Sequence, residues 1–300
     1  PSLSMQPHPR QAEFLQLDCE EALYGGAAGG GKSEALLMWL SEGINIPSYA
    51  GVIFRRTYPQ LAKADGLIPK SRLMYGPLGG VFKELTKIWT FPGGATIELG
   101  HLQYDQNVQD YQGAAFDRIG FDELTQFSEK QYRYLFSRLG RTKKSIQPGV
   151  RSASNPDGLG RLWVKQRFVS QEAIERIRTL DASRPSPAGM IFWHTDTEGT
   201  RAFVPARVAD NPSLNVADYS RRLATYLDPI TRERLLNGDW SVAQEGCVKE
   251  HWLRYYSTQG DFYRLHYPTS EGFVTVDGRH CQRVQIVDTA ATSEEKVRTE

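Results

Sequence analysis

An α/β fold on a mostly parallel sheet is what this sequence predicts, followed by a small helical linker subdomain and the start of a further domain. Three observations lead there. Over residues 1–155 short apolar runs alternate with helix-patterned runs. The first such run, Ala22-Leu23-Tyr24, passes into glycines and then a helix. A later run, Ile119-Gly120-Phe121, ends on two adjacent carboxylates, Asp122 and Glu123.

The elements follow in chain order. Ser33 to about Ser41 is helical, because Leu36, Leu37 and Leu40 recur at the spacing of one buried face. Gly51-Val52-Ile53-Phe54 reads as a buried strand, with a helix around Pro59–Leu73 after it. Phe82–Phe91 and Ala95–Leu102 read as a hairpin closed at Gly93-Gly94, inserted at the sheet edge. Arg118–Phe121 is a strand, Glu129–Leu139 a helix, and Val150–Ser154 a strand stopped by Asn155-Pro156. Ser183–Gly189 is linker-like, and Met190–His194 reads as one more strand. Helices are expected near Val216–Tyr226 and Asp228–Leu236, and Phe273–Asp288 resembles two strands joined at Asp277-Gly278. The chain stops soon after Asp288 with nothing to complete that sheet. The expected division is therefore a core over 1–182, a final strand and helical linker over 183–246, and a truncated domain over 247–300.

Composition narrows the class. In 300 residues, 40% are hydrophobic and 24% charged, enough apolar material for a core and too much for a disordered chain. The net charge of +1 excludes a polyelectrolyte binder but not a local basic face. Of the 36 basic residues 25 are arginine, which suits planar contacts to phosphate or carboxylate. No apolar run approaches the length of a membrane helix, no signal peptide is visible, and no membrane partner is expected. Cys19, Cys247 and Cys281 form no close pair and the histidines no cluster, so neither a disulfide scaffold nor a structural zinc site is expected.

Gly26-Ala27-Ala28-Gly29-Gly30-Gly31-Lys32-Ser33 fits G-x-x-x-x-G-K-[ST] between a strand and a helix. Gly26, Gly29, Gly30 and Gly31 let backbone N–H groups turn inward around phosphates, and the helix start adds partial positive charge. Lys32 is expected on the β/γ-phosphates and the Ser33 hydroxyl on Mg²⁺. Asp122, at the edge of its strand, is expected to hold the same Mg²⁺ through water, and Glu123 to orient and deprotonate the attacking water. The fold is thus expected to be a P-loop NTPase of the additional-strand, catalytic-glutamate type, with ATP and Mg²⁺ as ligands.

Other residues join this constellation. The Gln11 amide, just before the first strand, can pair with adenine, or the segment can be a solvated turn. Arg55 and Arg56 close the second strand, where either can meet phosphate or DNA, or cap a helix. From Gln131 to Ser170 nine basic residues face one acid, Asp157. Such a stripe can track a nucleic-acid backbone or offer an arginine to a neighbouring subunit. Ser154 and Asn155, at the end of the strand beside the nucleotide, can sense the γ-phosphate and pass hydrolysis on to movement.

This order of Gln11, the phosphate loop, Arg55-Arg56-Thr57-Tyr58-Pro59, Asp122-Glu123-Leu124-Thr125-Gln126-Phe127 and Ser154-Asn155-Pro156 resembles the large terminase subunit of tailed bacteriophages. Asn211-Pro212 through Leu235-Leu236-Asn237-Gly238-Asp239-Trp240 resembles the region after that family's ATPase core, and Val287-Asp288-Thr289-Ala290 the first strand of its RNase H-like nuclease. The resemblance implies a DNA-packaging motor. A ring of subunits, docked on the portal protein and working with the small terminase subunit, would drive double-stranded DNA into a procapsid in the cytoplasm of the infected bacterial host, and would not remain in the mature virion. A nuclease domain using Mg²⁺ or Mn²⁺ would cut the concatemer, with Asp288 as one metal ligand. The remaining nuclease carboxylates would lie beyond this sequence, so the chain as given is not expected to cut DNA. A trans-acting arginine would follow the Asp-Glu helix, with Arg138 the first choice and Arg141 the second. In one departure, Ala27-Ala28 stands where many relatives carry an arginine or lysine in the loop. The alternatives are a helicase-like translocase, which needs a second motor domain, and a non-translocating ATP-binding regulator, which would tolerate loss of Glu123.

Overall fold

A computed structural model of the chain describes residues 6–140, 146–179, 190–241, 256–260, 262–266, 273–277 and 279. The chain divides into two compact units, Pro1–Val242 and Ala243–Glu300.

In the first unit the elements run α1 (Pro9–Leu15), β1 (Glu21–Gly26), α2 (Lys32–Ser41), β2 (Ala50–Arg55), α3 (Tyr58–Ala62), α4 (Leu67–Tyr75), β3 (Val81–Lys83), β4 (Ile88–Thr90) and β5 (Thr96–His101). They continue with β6 (Arg118–Asp122), α5 (Glu129–Phe136), β7 (Gly149–Ser154), α6 (Arg161–Phe168), α7 (Gln171–Thr179), β8 (Phe192–Asp196), β9 (Gly199–Ala206), α8 (Val216–Tyr226) and α9 (Pro229–Asn237). The nine strands form one sheet in the order β3-β4-β5-β2-β6-β7-β1-β9-β8. The run from β5 to β9 is parallel, and β3, β4 and β8 are antiparallel additions at the two edges. β7 stands between β1 and β6, so an extra strand separates the glycine loop from the Asp-Glu strand, as the predicted fold type requires.

Alternation along each strand divides the core between the two faces of the sheet. Ala22, Tyr24 and Ile53 pack with Phe14, Trp39 and Tyr75 on one face. Leu23, Val52 and Phe54 pack with Phe121, Tyr132 and Phe168 on the other. Helix starts follow local chemistry: Ser128 caps α5 by accepting from the Gln131 amide at 3.2 Å, and the Gln131 side chain accepts in return from the Ser128 amide.

Some expectations need correction. The helix around Pro59–Leu73 is two helices: Lys63 leaves helical geometry with ψ 159°, and α4 restarts after Gly66. A Cβ on Gly66 would lie 2.5 Å from the Leu61 carbonyl oxygen, so only glycine lets the chain turn there. The expected hairpin closed at Gly93-Gly94 is present as β4 and β5, but the Phe82–Phe91 run also holds part of a second short strand, β3, and β5 joins the parallel sheet beside β2. The expected strand at Met190–His194 is the antiparallel edge strand β8. The strand that completes the core is β9, buried beside β1 and unforeseen in the sequence.

In the second unit β10 (Tyr256–Gln259), β11 (Phe262–His266) and β12 (Phe273–Asp277) form an antiparallel sheet. β12 is the first strand expected in Phe273–Asp288, whereas β10 and β11 were not expected. The second strand of that pair, Asp288 and Arg141 lie outside the described residues.

Candidate functional site

The glycine loop leaves the C-terminal end of β1 and is held from outside by four segments. Gly26 has φ 139°, and a Cβ there would lie 2.3 Å from the Ala206 oxygen, so β9 presses directly on the loop. The Ala27 amide donates to that oxygen at 2.8 Å, and the Ala28 amide to the Leu235 carbonyl of α9 at 2.9 Å. The side chains of Asn211 and Gln11 donate to the carbonyls of Gly29 and Gly31 at 2.6 and 2.7 Å. Gly31, at φ 69°, turns the chain into α2, whose first amides lack intrahelical carbonyl partners. Lys32 is buried and its ammonium folds back onto the Ala27 carbonyl. Burial pushes this ammonium below its usual pKa, against the pull of Glu123 and Asp122.

Asp122 ends β6 and is 1% exposed. Its Oδ1 accepts from the Ser33 hydroxyl at 3.0 Å, and its Oδ2 from Nε and Nη2 of Arg55, both at 2.7 Å. Glu123 follows in the left-handed region with φ 60° and ψ 57°, a conformation that costs a non-glycine residue about 1–2 kcal/mol. Burial and the adjacent Asp122 raise its carboxyl above the ordinary glutamate range, offset by Lys32, Arg55 and a bond to the Asn155 backbone. A carboxylate of raised pKa is a better proton acceptor near neutral pH.

β7 brings Ser154 against the same loop. Its Oγ lies 2.8 Å from Thr125 Oγ1 and accepts from the Thr125 amide at 3.1 Å. The Thr125 carbonyl in turn accepts from the Gly160 amide at 2.7 Å, which links the Asp-Glu loop to the start of α6.

Gly29, Gly30, Gly31, Lys32, Ser33, Arg55, Glu123 and Asn155 line one cleft of about 660 Å³, with Gln11 and Asn211 in its walls. Gln11 joins the phosphate loop to the start of α1. Its Nε2 donates to the Gly31 carbonyl, while its Oε1 accepts from the His8 amide at 2.8 Å, the N-cap of its own helix. Arg138 does not line the cleft, and its guanidinium lies over the Tyr134 ring, 5.2 Å from the centroid. Among the described residues of the basic run, several are buried or paired. Arg151 and Arg161 are buried on backbone carbonyls, and Arg167 and Arg133 both pair with Glu198. Sequence reasoning missed the roles of Asn211, Leu235 and Ala206. The Asn-Gly-Asp-Trp segment held the one visible signal, since Gly238 at φ 65° lets the end of α9 approach Gly26 and Ala27.

The donors also suit a metal ion. The Ser33 hydroxyl and Asp122 carboxylate are paired hard oxygen ligands, the kind Mg²⁺ takes alongside phosphate and water. Among the described residues no group of three or more His, Cys, Asp or Glu gathers elsewhere, nor is any helix long and apolar enough to cross a membrane.

Comparison with solved structures shows the same fold. The chain is similar to the large terminase of a thermophilic bacteriophage in complex with ADP, at 17% identity and a TM-score of 0.53, covering 91% of this chain and 69% of that one. It is similar to a complex of the same terminase with ATP-γ-S at 16% identity and a TM-score of 0.52, covering 91% and 68%. A mutant ATPase domain of the Thermus phage P74-26 large terminase matches at 16% identity and a TM-score of 0.51, covering 79% of this chain and 96% of that domain. No curated protein sequence matches. A family description does: the terminase large subunit, T4likevirus-type, N-terminal, matches residues 23–246, the span that holds the phosphate loop, the Asp-Glu pair and the α9 contact. The chain belongs to that terminase large subunit family.

Proposed function

We propose that this chain is an ATP-hydrolysing motor subunit that moves double-stranded DNA into a viral procapsid. The observation that carries the reading is the hydrogen bond from Ser33 to Asp122, which joins the phosphate loop to a strand whose next residue, Glu123, is a carboxyl of raised pKa lining the cleft.

The amides at the start of α2 and the Lys32 ammonium would bind the β- and γ-phosphates, drawing Lys32 off the Ala27 carbonyl. Ser33 and Asp122 would hold Mg²⁺, which when bound neutralises charge on the phosphate oxygens. Glu123, fixed by its backbone, orients a water for in-line attack and takes its proton. Asn155 and Ser154 report the change at Glu123 through Thr125 to α6.

The partners come from family membership: DNA, the portal protein, the small subunit and further copies in a ring. Arg138, outside its own cleft, would serve a neighbour's site. Asp288 would serve a nuclease domain with Mg²⁺ or Mn²⁺.

Glu123→Gln tests the central assignment. It should retain binding of a fluorescent ATP analogue and lose turnover by at least about 10²-fold, the scale of a general base. Hydrolysis at the wild-type rate refutes the assignment. Stimulation of the ATPase by portal protein tests the packaging role, and a rate indifferent to portal argues for a translocase of another kind.

A further inference from the structure

We propose that Arg55 changes partners as nucleotide binds, holding the Asp122 carboxylate before Mg²⁺ arrives and passing to the phosphates when Mg²⁺ takes that carboxylate. The inference rests on the reading of the cleft as an ATP site. Asp122 is nearly inaccessible and saturated on the side facing Arg55. Both Arg55 bonds end on Oδ2, while Oδ1 serves Ser33. A metal ion would take the free lone pair of Oδ1, and its two positive charges would then draw on the same carboxylate that holds the guanidinium through Oδ2, weakening that hold. A divalent ion beside a guanidinium also repels it.

The structure limits where the displaced cation can go. Three carboxylates bear on Arg55: Asp122, Glu123 and Asp65. Asp122 would be on the metal and Glu123 is needed for the water. Asp65 is 93% exposed and already pairs with Lys70 at 3.2 Å. Arg55 is itself a wall of the cleft, with a side chain 16% exposed, so a polyphosphate is the strongest anion within its reach. The planar fork that grips Asp122 suits phosphate oxygens equally well. Burial works against the Arg55 charge, but Asp122 and Glu123 outweigh it and keep the guanidinium firmly protonated, so it arrives as a full cation.

The exchange predicts how the site tolerates nucleotide without metal. With Arg55 present, Asp122 is neutralised and metal-free ATP is admitted. Without it, Asp122 and Glu123 repel the phosphates until Mg²⁺ arrives. The experiment titrates mant-ATP into the 300-residue chain in EDTA and in Mg²⁺ and takes the ratio of the two dissociation constants. Arg55→Gln should weaken binding in Mg²⁺, where the fork has passed to the phosphates, and weaken it further in EDTA, where Asp122 is left unneutralised, so that the EDTA-to-Mg²⁺ ratio rises about five-fold or more, the usual scale of coupling between two bound groups. Arg55→Lys, which keeps the charge and loses the fork, should return most of it. Arg56→Gln, on the neighbouring arginine that donates to Gln131 at 2.8 Å, should leave the ratio unchanged. A ratio unmoved by Arg55→Gln, or moved equally by Arg56→Gln, overturns the exchange and leaves the ATP reading intact. A wild-type chain that binds no mant-ATP overturns both.

Discussion

Replacing Gly238 by alanine isolates the contact between the end of α9 and the phosphate loop. Gly238 has φ 65°, and a Cβ there would lie 2.6 Å from both the Ala27 nitrogen and the Gly26 Cα. The left-handed conformation costs alanine about 1–2 kcal/mol. The overlap is with backbone that has no rotamer to change, and such overpacking costs about 1–3 kcal/mol more. The total of about 2–5 kcal/mol is a large part of a typical domain's 5–15 kcal/mol, yet leaves a folded majority in most cases. Relief requires α9 to move away, which breaks the bond from the Ala28 amide to Leu235 at 2.9 Å and loosens the loop. Urea unfolding should therefore show a lower midpoint at unchanged slope, and mant-ATP affinity should fall with it. A variant within about 0.5 kcal/mol of wild type, the range of ordinary surface substitutions, and with unchanged affinity, refutes the clamping of the loop by α9.

Two further predictions concern buried charge. Glu21, at the start of β1, accepts from Arg167 at 2.6 and 2.9 Å and from the Tyr132 hydroxyl at 2.6 Å, all buried or nearly so. Glu21→Gln strands the inner side of that guanidinium and should cost about 3–5 kcal/mol by urea unfolding, a loss that added salt does not mimic. The raised pKa of Glu123 means the native state keeps a proton that the unfolded chain releases, so stability falls as pH rises from the ordinary glutamate value of 4.5 through the raised one. Glu123→Gln should flatten that fall when unfolding midpoints are compared at about pH 5 and about pH 8, whereas an identical slope in both proteins contradicts the raised pKa.

What the sequence made legible was local. β1, β2, β6 and β7 are apolar runs that end on residues of special chemistry, and the meeting of Ser33 with Asp122 is foreshadowed because each sits in a short pattern with a known geometry. β9 was hidden by its own composition, Gly-Thr-Arg-Ala-Phe-Val-Pro-Ala, since a buried strand seldom carries Arg or Pro. In the fold Arg201 is answered by Asp196, and Pro205 lies beyond the part of β9 paired with β8. The pairing within the basic run was hidden for the opposite reason. Its charges are spread along the sequence, but their partners, Glu21 and Glu198 among them, come from distant segments that local charge counting cannot see. The grip of Arg55 on Asp122 and the brace of Gln11 on Gly31 are likewise facts of packing, although the sequence marks both residues as candidates.

The position of β1 also fixes when the site comes into being. As the chain leaves the ribosome, at about 5–20 residues per second, the phosphate loop emerges early and its carboxylate partners follow. Yet the backbone of Gly26 and Ala27 is shaped by Ala206, Leu235 and Gly238, which arrive last. A nascent chain ending near residue 182 would carry the phosphate loop and the Asp-Glu pair with a loop still missing three of its four supports. Until those residues are made, the loop lacks the contacts that set the backbone of Gly26 and Ala27.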